Sequence, residues 1–144
     1  MLDRLRALDS CAVSDALDTL HLPGATPGIR PLWPVSAPVA GRVRTVQAGP
    51  RQDGKPVQHI AAAAIEAAET GDVLAIATNG RVDVSCWGGI LTLTARRNGI
   101  GGVVIDGACR DIVESEAHGF PVFGRAVVPV GRPQRRGFHP GCFA

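Results

Sequence analysis

The residues best suited to chemistry are Arg110, Asp111 and Glu114, which follow the apolar run 102–105. A guanidinium presents paired donors that match a carboxylate or an enolate oxygen. Aspartate supplies the hard oxygen that Mg²⁺ or Mn²⁺ prefers, and such ions usually keep several waters. On a helix, Glu114 would face the same side as Asp111 and could hold a metal-bound water. The pattern indicates a site for a small carboxylate and a divalent cation. An internal Arg110–Asp111 ion pair, with Glu114 on the surface, explains the residues equally well.

A glycine pair, Gly88 and Gly89, precedes this motif, with 20 residues between Gly89 and Arg110. The pair opens a predicted helix, where the first backbone amides have no intrahelical partner and the helix dipole favours negative charge. Without side chains in the way, these amides can meet a carboxylate directly. The alternative is that the glycines serve a tight strand-to-helix turn or close packing.

The rest of the chain predicts alternating helices and strands that would position these residues. Apolar and polar spacing, with Gly and Pro as stop signals, predicts the following elements: a helix over 11–20 capped by Ser14 or Asp15, a Pro-rich extended loop over 22–38 fixed by Trp33, a strand over 41–46, a helix over 57–70 stopped by Gly71, a strand over 72–77, a turn at Asn79-Gly80, a helix over about 87–98, a strand over 102–105, a helix over 110–118, and strands over 121–123 and 126–130. This order favours right-handed crossovers and an α/β architecture, in which ligands bind at the carboxyl ends of strands.

Bulk composition limits the function classes. A chain of 144 residues with 45% apolar and 19% charged residues fits one globular domain. The net charge of +2 predicts no nucleic-acid partner, and the cluster Arg132, Arg135 and Arg136 is interpreted as a solvated tail. Four cysteines without regular spacing favour reduced thiols and a cytoplasmic protein. No apolar stretch is long enough to cross a bilayer, so no membrane contact is predicted.

Other residues near the motif are weaker candidates. Asp83 and Asp106 flank it and could act as supporting acids, although Asp111 ranks above both. Cys109 is beside Arg110, and small buried packing explains it better than a reactive thiolate. The segment 99–102 resembles a dinucleotide loop, but it follows a helix and precedes a strand, which is the reverse of the required order.

With these residues identified, the chain resembles the RraA-like family, which includes regulators of ribonuclease E activity and metal-dependent 4-hydroxy-4-methyl-2-oxoglutarate aldolases. The resemblance covers roughly residues 11–130. It is strongest where Gly89 and Arg110 reproduce the spacing of the family pattern Gly-x20-Arg-Asp-x2-Glu/Asp, which Glu114 completes. The other matching segments are 13–17, 71–74, 87–91 and 102–107.

The resemblance implies a layered β/β/α swivelling-type domain that assembles as a homotrimer or homohexamer with sites between subunits. It implies that the amides of Gly88, Gly89, Ile90 and Leu91 bind the carboxylate of pyruvate. Arg110 would bind and polarise the pyruvyl oxygens. Asp111 would hold Mg²⁺ or Mn²⁺, and Glu114 would act through water. The expected reaction is retro-aldol cleavage of a small 2-oxo acid to pyruvate, and the same enolate chemistry would permit oxaloacetate decarboxylation.

The end of the chain departs from the family pattern. The whole chain, 1–144, is interpreted as a single RraA-like domain whose C-terminal part is truncated or divergent after about residue 130. In the aldolases that part is thought to bring an acidic residue into a neighbouring subunit's site. The alternative function is therefore a non-catalytic regulator that binds ribonuclease E or another protein.

Overall fold

The computed structural model describes residues 1–48 and 61–131 as a mixed α/β domain. Its elements, in chain order, are α1 (Leu2–Arg6), α2 (Ser10–Thr19), β1 (Arg30–Pro31), β2 (Val43–Gln47), α3 (Ala62–Ala67), β3 (Val73–Ala77), β4 (Ser85–Trp87), α4 (Gly89–Arg97), β5 (Gly102–Asp106), β6 (Ala108–Cys109), α5 (Ile112–Ala117), β7 (Val122–Gly124) and β8 (Ala126–Val127). The predicted α/β class is confirmed. The predicted helix residues 57–60 and the basic tail lie outside the described residues.

The larger sheet has five strands in the order β1-β7-β5-β3-β2. Strands β2, β3, β5 and β7 run parallel, and β1 joins β7 antiparallel at the edge. The central strands β3 and β5 are continuous apolar runs because helices and neighbouring strands cover them. Trp33 fixes the Pro-rich loop as predicted, since its Nε1 donates to the Phe120 carbonyl at 3.0 Å.

The smaller sheet has three short parallel strands in the order β4-β6-β8. Each of its strands comes after a strand of the larger sheet in the chain: β4 follows β3, β6 follows β5 and β8 follows β7. For example, β6 begins two residues after β5 ends. Its strands are only two or three residues long, and periodicity did not predict β4 or β6. This sheet carries the residues that lead into α4 and α5.

One apolar core joins both sheets to the helices. Its buried members include Ile65 of α3, Ala95 of α4 and Ile105 of β5, all between 0% and 2% exposed. The ring of Trp87 stacks on Phe120 with centroids 6.0 Å apart and planes 9° apart. Burial of such aromatic surface is a large part of what holds β4 against the helices.

Several helix boundaries differ from the predicted ones. Helix α2 is capped by Asp9, whose side chain accepts from the Ala12 amide at 2.7 Å, so Ser14 and Asp15 are not the cap. Helix α3 ends at Ala67, because Ala68 turns extended before Gly71. Helix α4 begins at Gly89 because Trp87 belongs to β4.

The bounds of α5 and β8 also differ from the predicted ones. Helix α5 begins at Ile112, after Arg110 and Asp111, so these two residues precede the helix and do not form its first turn. Strand β8 ends at Val127, short of the predicted residue 130. Throughout residues 1–48 and 61–131, no helix has the length and apolar character needed to cross a membrane.

Candidate functional site

The site is positioned by Trp87, the last residue of β4. The Trp87 side chain is buried, and its Nε1 donates to Oγ1 of Thr92 at 2.9 Å. The Trp87 carbonyl accepts from the amide of Arg110 at 3.0 Å. A single residue therefore links the start of α4 to the segment that enters α5.

The glycine pair forms the N-terminus of α4. Gly88 is the N-cap residue, with φ −166°, a conformation open to any residue, and its carbonyl accepts from the Thr92 amide at 3.0 Å. Glycine leaves room here for two side chains. A methyl group on Gly88 would lie 2.8 Å from Oδ2 of Asp111 and 3.1 Å from Nε of Arg110. The predicted helix start at the pair is confirmed.

Asp111 is the N-cap residue of α5 and has an unusual backbone conformation. Its φ of 55° and ψ of 38° place it in the left-handed region, which Asp and Asn tolerate better than other side chains. Its carbonyl accepts from the amides of Glu114 and Ser115 at 3.1 and 3.2 Å. This turn directs the Asp111 carboxylate towards α4, where Oδ2 accepts from the Gly89 amide at 3.1 Å.

Arg110 and Glu114 complete the cluster. Nε of Arg110 lies 3.3 Å from Oδ2 of Asp111, so the ion pair expected as one interpretation is present. The Glu114 carboxylate fills the space beside Gly89, where a methyl group would overlap Oε2. The side chains of Arg110 and Asp111 remain 44% and 37% exposed, so solvent and small molecules can reach both.

The structure thus brings together all the residues predicted for the site from Gly88 to Glu114. Gly89 already donates to the chain's own carboxylate, whereas helix geometry leaves the amides of Ile90 and Leu91 without an intrahelical acceptor. The Ile90 side chain is 79% exposed, and that of Leu91 is buried in the core. An anion could meet two backbone amides and a guanidinium here, and the roles of these residues stay a prediction.

Two carboxylates of the site have the chemistry that a divalent cation needs. Asp111 and Glu114 both lie beside Gly89, while no cluster of three or more His, Cys, Asp or Glu residues suited to a metal exists within the described part of the chain. A pair of carboxylates suits Mg²⁺ or Mn²⁺, which bind through one or two protein oxygens and retain waters. The donor set is too small for an all-protein cage. The two carboxylates fit a hydrated hard cation, and the roles of Asp111 as its ligand and of Glu114 through water stay a prediction.

A pair of buried hydroxyl groups joins the two helices, α4 and α5, that carry the site. Oγ1 of Thr92, which accepts from Trp87, lies 3.0 Å from Oγ of Ser115, and both residues are fully buried. The pair ties α4 to α5 and so fixes the glycine pair relative to Asp111. Neither hydroxyl was predicted as part of the site. The available signal was a threonine on the apolar face of α4, where a buried hydroxyl needs a partner.

The weaker candidates take other roles. Asp106 pairs with Nε of Arg125 at 2.5 Å, and Asp83 pairs with Arg81, so each carboxylate has its own arginine. Their role as supporting acids of the site stays a prediction. Cys109 is a buried packing residue, as expected, and burial raises the pKa of its thiol to about 12.

Together, the fold and the site define an α/β domain with a polar cluster at a helix N-terminus beside the sheets. The chain matches the family model described as RraA-like, Aldolase/RraA, over residues 10–140, and it belongs to that family. It is 36% identical over 123 residues to the protein DlpA of Legionella pneumophila, a match that covers 85% of this chain and 20% of that protein.

Two further relatives show the range of the family. The chain is 34% identical over 122 residues to a protein of Halalkalibacterium halodurans provisionally named 4-hydroxy-4-methyl-2-oxoglutarate aldolase, covering 85% of this chain and 54% of that one. It superposes on Streptomyces coelicolor RraAS2, described as an unusual member of the RNase ES inhibitor RraA family, with a TM-score of 0.80 and 26% identity over 93% of this chain and 67% of that one. The chain spans about a fifth of the length of DlpA and about half of the length of the Halalkalibacterium halodurans protein.

Proposed function

We propose that this chain is a divalent-metal-dependent lyase that cleaves small 2-oxo acids to pyruvate. The observation that carries the proposal is the convergence of Arg110, Asp111 and Glu114 on the Gly88-Gly89 start of α4. The cluster offers a guanidinium and helix N-terminal amides to an anion, and two carboxylates to a hard cation. The aldolase-named relative supports the same class of reaction.

The chain's own residues would act on the substrate as follows. The amides of Ile90 and Leu91 bind the carboxylate of the 2-oxo acid, aided by the positive end of the α4 dipole. The Arg110 guanidinium donates to the 2-oxo oxygen. Asp111 and Glu114 would hold the divalent cation, which when bound supplies positive charge that favours the enolate over the ketone.

The reaction on 4-hydroxy-4-methyl-2-oxoglutarate balances as a retro-aldol cleavage. Loss of the C4 hydroxyl proton and breakage of the C3–C4 bond give one pyruvate and the enolate of a second. Protonation of that enolate at its terminal carbon gives the second pyruvate. Oxaloacetate would lose CO₂ to give the same enolate, whose negative oxygen Arg110 stabilises by donated hydrogen bonds.

The decisive experiment measures pyruvate release from both substrates with lactate dehydrogenase as the coupling enzyme. Wild type should be active with Mg²⁺ or Mn²⁺ and inactive with EDTA, after subtraction of the metal-only decarboxylation of oxaloacetate. Arg110→Ala should lose at least 100-fold in kcat/KM. Arg96→Ala removes an exposed arginine from the last turn of α4, the helix that begins at the glycine pair, and should leave kcat/KM unchanged. No pyruvate from wild type with either metal would refute the proposal.

A second candidate is a regulator that binds ribonuclease E or another protein, and the likeness to RraAS2 favours it. Its surface would be separate from the polar cluster. Asp111→Asn should then leave partner binding unchanged, and neither wild type nor the variant should release pyruvate. Loss of partner binding in Asp111→Asn would contradict a partner-binding surface that is separate from the polar cluster.

We further propose a homotrimer or a homohexamer with the site at a subunit boundary. Ile90 and Val113, in the first turns of α4 and α5, are each 79% exposed at the rim of the site. Exposed apolar residues beside a polar cluster are typical of interfaces. Light scattering after size exclusion should give three or six times the 15.0 kDa protomer mass, and Ile90→Glu should lower it. A monomeric wild type would refute this assembly.

A further inference from the structure

We propose that Gly131 is a positioning residue of the same site, and this inference rests on the proposed function. Gly131 and Gly88 form a slot that holds the Arg110 side chain. The slot directs the guanidinium to the place where the 2-oxo oxygen of the substrate would bind. Gly131 lies outside the family motif, and neither periodicity nor spacing marks it as a site residue.

The first step is the contact itself. A methyl group on Gly131 would overlap Nη1 of Arg110 and lie 3.0 Å from its Cζ. The corresponding methyl on Gly88 would lie 3.1 Å from both Cγ and Nε of Arg110. Gly88 therefore bounds the proximal part of the side chain, and Gly131 bounds its end. Both boundaries are bare backbone because neither position has a Cβ.

The second step is the rigidity of the slot. The Val130 carbonyl accepts from the Ser85 amide at 2.9 Å, and the Val128 amide donates to the Cys109 carbonyl at 2.9 Å. These bonds attach the segment before Gly131 to β4 and β6, the strands that lead into the site. The Arg110 amide is bound to Trp87 in the same region. The Arg110 side chain thus lies between two pieces of backbone, each of which follows a strand of the smaller sheet.

The third step is what a side chain at position 131 would change. The backbone of Gly131 is not in the left-handed region, so alanine is compatible with its conformation. The atom that must yield is the end of a flexible arginine, which can move at little cost to the fold. Alanine should therefore displace the guanidinium and leave stability nearly unchanged. Loss of a charge-assisted hydrogen bond to the substrate typically lowers binding about 10- to 100-fold.

The test uses Gly131→Ala and the bulkier Gly131→Val, with Gly101→Ala as the matched control. A methyl on Gly101 would make only ordinary contacts, at 3.4 Å and beyond. The first readout is the rate at which phenylglyoxal modifies Arg110, followed by mass spectrometry with Arg96 as the internal reference. The second is the KM for oxaloacetate, and the third is the melting temperature.

We expect faster modification of Arg110 and a KM raised about tenfold in Gly131→Ala, with a larger effect in Gly131→Val. The melting temperatures should stay close to that of wild type, and Gly101→Ala should match wild type throughout. Unchanged modification of Arg110 would overturn the slot. Faster modification with an unchanged KM would overturn its positioning role. If wild type shows no turnover, the proposed function fails, and Arg110 modification alone then decides whether the slot exists.

Discussion

Replacement of Thr92 by valine tests how α4 is held to α5. Valine removes the hydroxyl that accepts from Nε1 of Trp87 and contacts Oγ of Ser115, while it keeps nearly the same shape. The fully buried Trp87 donor would lose its partner, and water could not replace it without opening the core. The expected loss comes from an unsatisfied donor, because no cavity is created.

The magnitude follows from that single donor. A buried polar group left without a partner costs about 1–3 kcal/mol. For a chain of this size, each kcal/mol lowers the melting temperature by about 3 °C. We therefore expect Thr92→Val to melt about 3–10 °C below wild type. Ser115→Ala should cost less, about 1 kcal/mol, because Thr92 still accepts from Trp87.

The assay is urea or thermal unfolding at one fixed protomer concentration, since association would otherwise shift the transition. Thr94→Val is the matched control on the same helix. Its hydroxyl donates to the Ile90 carbonyl at 2.8 Å on the exposed face, so the free energy of unfolding should change by less than about 0.5 kcal/mol. If Thr92→Val is as mild as Thr94→Val, the buried hydroxyls do not hold the two helices together.

Three more outcomes are expected. Asp72, whose pKa is held below its ordinary value by the Glu69 amide and then by Arg44, stabilises the fold above about pH 4 and loses this effect as pH falls through its folded pKa. Asp72→Asn should therefore melt below wild type at pH 7, and the difference in melting temperature should narrow as the pH falls below about 4. A difference that is constant with pH would contradict this. Gly41→Ala should cost about 1–3 kcal/mol in urea unfolding, because its methyl would overlap the rigid Gly71 carbonyl; stability equal to that of Gly101→Ala would show that the backbone yields. Iodoacetamide at pH 8 should alkylate exposed Cys11 and spare Cys109 until urea is added, because burial raises the pKa of the Cys109 thiol to about 12; equal rates by peptide mapping would contradict its burial.

The elements that the sequence predicted well are those set by local pattern. The apolar run of β3 and the helix of α4 depend on periodicity and on glycine at their ends, and both formed close to the predicted residues. The helix start at Gly88-Gly89 was predicted correctly because the residues around a helix start largely determine it. The juxtaposition with Arg110 followed from the spacing that resembles the family pattern.

The boundaries that were missed depend on tertiary contacts. Trp87 belongs to a strand because its ring packs on Phe120, and α5 starts late because Asp111 turns left-handed. Helix α3 ends before Glu69, whose amide donates to the buried Asp72. Phe120 is 33 residues from Trp87, and the Gly89 amide that binds Asp111 is 22 residues from it. Asp72 is only three residues from Glu69, but it also binds the distant Arg44. Periodicity within a single segment therefore did not carry the information.

The left-handed turn at Asp111 also restricts which residues can replace it. Most side chains would strain that backbone, whereas glycine and asparagine would relieve or tolerate it. An alanine at this position would thus lose a carboxylate and strain a turn at once, and its phenotype would mix the two. Only a few residue types can therefore occupy position 111 without strain. The backbone conformation, and not only the chemistry of the carboxylate, limits which side chains can lie beside the glycine pair.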